Sequence, residues 1–233
     1  KVTGLSEPIS NGDAINLGFA NENYRASNWL PTIAEIGAAP AGYGLGEAER
    51  IAAAELDDTT APGFYDIAET MTINNIPANY WYLAVYAYGA GSSHCTQKLC
   101  PAVASFKNCT LERTKFARDW YDWECVNPPM TLGVEYRTTE RFLGKPVYWI
   151  LIDMGLMPNA SVKSVNIGIS NMKYLVHKSV TAGKHHFPCN WNDGGRGGNT
   201  DIYVNSTTVS IKTTADWSRY NAYAFLKYTK TTD

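Results

Sequence analysis

An excess of charge of either sign is the first thing this chain lacks. Over 233 residues, 20 Lys and Arg stand against 22 Asp and Glu, and the net charge of −2 excludes the basic footprint of a nucleic-acid binder. Long hydrophobic runs are absent too. The longest, residues 80–88 (YWYLAVYAY), is half of what a helix needs to cross a bilayer, so no membrane insertion is expected. No basic segment followed by an apolar one opens the chain, and Lys1 in place of Met is expected of a piece of something longer. Helical patterning is scarce: only residues 47–56 (EAERIAAAEL) read as a helix. Neither G-x-S-x-G nor H-E-x-x-H occurs, and no periodic β-helix repeat runs through the sequence.

Cysteine is present without a framework. The five cysteines (Cys95, Cys100, Cys109, Cys125 and Cys189) are odd in number, and none forms the close pair that structural zinc sites use. Cys100, Cys109 and Cys125 are therefore expected to be buried free thiols. His185 and His186 read as loop residues, with a metal shared on a symmetry axis as the alternative. No cofactor and no metal are expected. The sequons at Asn108, Asn159 and Asn205 have meaning only in a eukaryotic secretory pathway, to which nothing else points.

What is abundant is aromatic: 12% of the chain, with 15 Tyr and 7 Trp, a composition that fits β-structure and an adhesive surface. Residues 1–46 are rich in Gly, Asn, Ala and Pro and too poor in apolar residues to form a core alone. Beyond the helix-like stretch come strand-like runs at 64–73, 80–88, 96–104, 109–117 and 120–126, separated by turn residues. Asn127-Pro128-Pro129 stops any strand, since proline cannot donate to a ladder. The last hundred residues alternate most cleanly: 134–141 (VEYRTTER), a reversal at Leu143-Gly144, then 147–154 (VYWILIDM), 161–169, 172–180, 201–204, 209–213 and 220–229. Between them, 181–200 (TAGKHHFPCNWNDGGRGGNT) is expected to be one long irregular loop. Short strands at regular spacing predict an all-β chain of antiparallel sandwich or barrel domains.

Three segments resemble bacteriophage tail fibres. Residues 1–16 (KVTGLSEPISNGDAIN) are similar to a short shaft motif, although the Lys and Tyr-Val-Asp that usually follow are replaced by Leu17-Gly18-Phe19-Ala20-Asn21. Residues 37–46 (GAAPAGYGLG), with Gly63-Phe64-Tyr65 and Trp120-x-x-Trp123, are similar to the knob module of tail fibres and pyocins. Residues 127–159 and the ending YTKTTD resemble the terminal head domain. The resemblance implies three units: a shaft-like trimerising strip (1–46), a knob-like β domain (47–130) and a receptor-binding head (131–233). It implies an intertwined homotrimer joined to the rest of a fibre. It also implies assembly in a bacterial cytoplasm and a place at the fibre tip of a virion, in contact with a host receptor.

Catalysis needs a pair of carboxylates flanking a sugar bond, and Asp119, Asp122, Glu124 and Asp153 read instead as solvated or edge residues. Binding needs only exposed aromatics with amides and charges beside them. Asn190, Trp191, Asn192, Asp193 and Arg196, with Tyr203, and then Trp217, Arg219 and Tyr220, offer that mixture. A bacterial surface polysaccharide is the expected partner. A tip-bound depolymerase and a purely structural trimerisation cap are the alternatives.

Overall fold

The computed structural model describes residues 48–87, 91, 93–188, 190–192 and 198–233, with backbone only at 190–192. The strip 1–46, expected to wind with its copies, lies outside the described residues. The rest is built almost wholly of strands, as the spacing predicts. In chain order they are β1 (Glu49–Arg50), β2 (Gly63–Ile67), β3 (Met71–Ile73), β4 (Ile76–Ala78), β5 (Trp81–Ala87), β6 (Cys95–Pro101), β7 (Leu111–Phe116), β8 (Asp119–Trp120) and β9 (Glu124–Cys125). The second half supplies β10 (Glu135–Phe142), β11 (Lys145–Leu156), β12 (Val162–Asn166), β13 (Met172–Ala182), β14 (His185–Phe187), β15 (Asn190–Asn192), β16 (Asn199–Val204), β17 (Thr208–Thr213) and β18 (Asn221–Lys230). Among the described residues no helix is long and apolar enough to cross a membrane.

The helix expected at 47–56 is not formed. Glu49 and Arg50 pair in parallel with Tyr65 and Asp66, and only Ala53–Glu55 makes a single 3-10 turn. The physical reason lies in the stripe. Of the described residues in this stretch only Ile51 and Leu56 are buried, and five residues apart they cannot share a helix face. A ten-residue helix without such a face falls below the length that propensity alone sustains.

The first core is one sheet, β1-β2-β5-β6-β7-β9, with one face covered. Strict alternation in β5 buries Trp81, Leu83 and Val85 and leaves Tyr82 and Tyr86 in water. Ile76 and Ala78 of the β3–β4 hairpin and Leu56 of the 3-10 turn close over the buried side, where Trp81 is fully enclosed. Cys109 and Cys125 lie in this core as free thiols with sulfurs 3.4 Å apart, as expected, whereas Cys100 is only half-buried because it points to the opposite face.

The second core is a sandwich. Strands β10-β11-β18-β13-β14 face the four-stranded sheet β12-β17-β16-β15. Ile150, Ile152, Met154, Val180 and Leu226 meet Ile202, Val209 and Ile211 between the layers. The β10–β11 hairpin turns at Leu143-Gly144, both at positive φ, which is the twist a two-residue hairpin needs. Residues 181–200 are not one irregular loop: Ala182 pairs with His185, and Trp191 pairs with Thr200. Three-residue strands such as β14 take their stability from cross-strand neighbours rather than their own propensity, so no alternation long enough to read runs through them.

The strand stop at 127–129 holds, yet the ladder does not end there. Cys125 of β9 pairs in parallel with Thr138 of β10, so the sheet of the first core continues into that of the second. The β3–β4 turn adds a second tie. Asn74 Nδ2 donates to the Arg137 carbonyl (2.8 Å), the Arg137 amide donates back to Asn74 Oδ1 (3.1 Å), and Asn75 Nδ2 donates to the Glu135 carbonyl (2.7 Å).

Candidate functional site

Three surfaces carry functional side chains. At the end of the sandwich, Gly183 at φ +60 turns β13 into β14. A Cβ there would meet the Tyr220 ring at 2.9 Å, so glycine lets that ring close down. His185, Phe187, Trp217 and Tyr220 gather here: Trp217 lies edge-on to Phe187 (5.3 Å) and His185 (5.0 Å) and tilted against Tyr220 (5.7 Å). Trp217 is only 8% exposed, so the stacking face expected of it is spent inside the protein, where the largest apolar side chain of its loop plugs the end of the core. Arg219 stays outside, its guanidinium 5.2 Å from the Tyr220 centroid. Tyr203, 54% exposed, stands on β16 of the other sheet, with its hydroxyl 3.4 Å from Asp201 Oδ2. Asn190, Trp191 and Asn192 form β15, and Asp193 and Arg196 lie outside the described residues. The expected site is thus divided: Trp217, Arg219 and Tyr220 come together, and Tyr203 belongs to another layer. Among the described residues no group of three His, Cys, Asp or Glu is placed to hold a metal ion.

The second surface is the open face of the first core. Tyr82, Ala84 and Tyr86 of β5 point outward, flanked by Phe64 across β2 and by Cys100, Lys98 and Thr96 across β6. Phe64, Tyr82, Tyr86 and Phe116 are about half exposed (46%, 56%, 54% and 60%), an aromatic patch held on rigid strands. At one edge a hollow of about 420 Å³ is lined by Arg50, Asp66, Tyr80 and Tyr82. Arg50 donates to Asp66 from Nη2 (2.7 Å) and Nε (2.9 Å), and the Tyr80 hydroxyl donates to the same carboxylate. Arg50 holds the Asp66 carboxyl below the usual carboxylate range; burial works against this and the Tyr80 bond assists it. A depressed folded-state value contributes stability above the ordinary Asp value and loses it as pH falls through the depressed one. Asp66→Asn should therefore flatten the acid limb of a urea-midpoint profile below about pH 4. An unchanged acid limb would show that this carboxylate is not coupled to folding. Trp120 and Trp123, the aromatic pair of the knob-like motif, are turned to structural use: the Arg113 guanidinium lies 4.0 and 4.4 Å from their ring centroids and ion-pairs with Asp57 at 2.6 Å.

The third surface was not anticipated. Between the two cores opens a polar cleft of about 590 Å³ whose walls include Tyr121, Asp122, Glu124, Arg137, Arg141, Lys145 and Asp233. Arg137 is its centre, donating to Asp122 (2.9 Å), Glu124 (3.3 Å) and Asp233 (2.9 Å). Arg141 takes Glu124 by both oxygens at 2.9 and 2.7 Å. Tyr148 donates to Asp233 Oδ1 at 3.0 Å, and burial pushes its hydroxyl up to about 12, with the Arg137 charge opposing and the Asp233 bond assisting. Asp122 and Glu124, weighed from sequence as possible catalytic carboxylates, thus share one arginine. Asp153 accepts from the Gly155 amide at a bulge, and Asp119 lies exposed in β8. The signal for this cluster was present in VEYRTTER, where Glu135 and Arg137 alternate with buried Tyr136 and Thr138. Their partners come from the far end of the chain: Glu135 accepts from Tyr228 and Lys230, and Arg137 binds Asp233.

No protein-family model matches the chain, and no curated protein matches it. Among solved structures it is similar to tail fibres of pyocins. An N-truncated R2-type pyocin tail fibre aligns over 78% of this chain and 95% of that one, with 11% identity and a TM-score of 0.26. C-terminal fragments of the R1 and R2 pyocin fibres of P. aeruginosa align over 80% and 75% of this chain, and 68% and 64% of theirs. Each is 10% identical, with TM-scores of 0.26 and 0.24. The described part of the chain is nearly all β.

Proposed function

We propose that this chain is the distal part of a tail fibre that attaches a phage or phage-like particle to a bacterial surface, with a cell-surface glycan as the receptor class. The observation that carries the proposal is the succession of three tail-fibre-like matches along one chain, at 1–16, at 37–46 with 63–65 and 120–123, and at 127–159. The described part adds rigid strands that expose aromatics: Tyr203 beside Asp201, and the Phe64, Tyr82, Tyr86 and Phe116 patch. Attachment by several weak contacts, multiplied by copy number, needs such surfaces and no chemistry. The strip 1–46 is the part proposed to wind three copies together, which repeats each contact three times. Purified chain should bind intact cells of a susceptible strain saturably and be displaced by that strain's surface polysaccharide. Failure to bind any cell that the particle adsorbs to would overturn the proposal. Light scattering should give three times the 25.7 kDa chain mass; a stable monomer over a wide concentration range would remove the trimeric part.

A further inference from the structure

We infer that the cleft between the two cores is a binding site for a neutral saccharide, a site separate from the end of the sandwich. The inference begins with an unused atom. Asp233 is buried to 10% side-chain exposure, and while its Oδ1 is held by Arg137 and Tyr148, its Oδ2 is buried without a hydrogen-bond partner. A buried carboxylate oxygen left unpaired costs on the order of 1–3 kcal/mol, and a hydroxyl that reached it through a small shift of this last residue would relieve that cost. The atom belongs to a residue that lines a cleft of about 590 Å³, within the volume range of small-molecule sites.

The walls decide what the donor belongs to. Four acidic and four basic side chains line the cleft, so neither sign is in excess. An anionic polymer would meet four carboxylates and a cationic one four cations, all but Lys145 already in ion pairs. A neutral polyhydroxyl molecule meets no such opposition, because each hydroxyl both donates and accepts. Tyr121 adds the remaining element. Its side chain lines the same cleft and is 62% exposed, an aromatic face free for the C–H side of a sugar ring. An aromatic face at the rim, with carboxylates and guanidinium groups within that accept from and donate to hydroxyls, is what saccharide recognition requires of a protein. The ligand's source on a bacterial surface rests on the attachment proposal; the cleft chemistry does not.

The test uses the full chain titrated with neutral gluco-, galacto- and manno-tetraoses, and with tetragalacturonate as an anion of equal length, followed by calorimetry and saturation-transfer NMR. At least one neutral tetraose should bind with Kd near millimolar, and the anion should not. Tyr121→Ala should weaken that binding at least tenfold with an unchanged melting temperature, and Tyr121→Phe should restore it, since the ring and not the hydroxyl is the contact. No neutral binding up to about 10 mM (some 2.7 kcal/mol), equal binding by Tyr121→Ala, or preference for the anion would each overturn the inference. Whole-cell binding of the same proteins separates this from the attachment proposal. If wild type and Tyr121→Ala bind cells equally, attachment stands and the cleft is not its site. If neither binds cells while the tetraose titration succeeds, the cleft stands and attachment falls.

Discussion

Trp81→Ala should destabilise the protein by about 3–5 kcal/mol, the cost of removing a large aromatic from an interior that cannot collapse around the gap. Trp81 is fully buried at the centre of the first core, paired across the sheet with Ile67 on one side and Pro101 on the other, and its indole N–H donates to the Ala78 carbonyl at 3.2 Å. That bond fastens the β3–β4 hairpin over the sheet, so the substitution opens a cavity and also loosens the lid. Against a typical domain stability of about 5–15 kcal/mol the first core would be left marginal at physiological temperature. Urea denaturation followed by near-ultraviolet dichroism measures the loss. A change below about 1 kcal/mol would mean that the first core is not assembled around this residue.

Arg137→Ala should cost about 2–4 kcal/mol, somewhat below the range for a fully buried pair because 18% of the side chain is exposed. Its removal leaves Asp233 and Glu124, side chains only 10% and 11% exposed, short of a cation they share. Glu124 keeps Arg141, so the larger penalty falls on Asp233 and on the closing segment it anchors. Arg137→Lys should recover only part of the loss, since an ammonium cannot present the guanidinium's fork to Glu124 and to Asp122 and Asp233 together. Thermal denaturation of the two variants at low and high salt tests this. Equal stability of wild type and Arg137→Ala would show that the network contributes nothing net.

Where a strand carried its own alternation for seven residues or more, its place was legible in advance. β5, β11 and β18 were found within one or two residues because Trp81-Leu83-Val85 and Ile150-Ile152-Met154 write the inward face directly. Residues 47–56 misled because alanine favours a helix intrinsically, whereas the parallel contact to β2 and the Arg50–Asp66 pair decide the outcome from sixteen residues away. The binding surface was less legible than the fold. Trp217 stands among charged and polar neighbours as a binding aromatic would, yet its size makes it the best plug for the end of the sandwich. The cleft was invisible because its members, from Tyr121 to Asp233, are brought together only by β18 closing beside β11. Local pattern carries no record of a pairing made across eighty residues.

The uninterrupted ladder from β1 to β14 has a mechanical consequence. Two packed cores joined by a peptide linker would swing, and a load applied across them would be taken up at that joint. Here the Cys125–Thr138 pairing and the Asn74 and Asn75 amides, which imitate ladder bonds on the β10 backbone, cross the junction side by side. Bending one core against the other must break several of these bonds at once instead of stretching one after another. The pair therefore behaves as a short beam, and a pull applied to either end is delivered to the other with little lost to flexure.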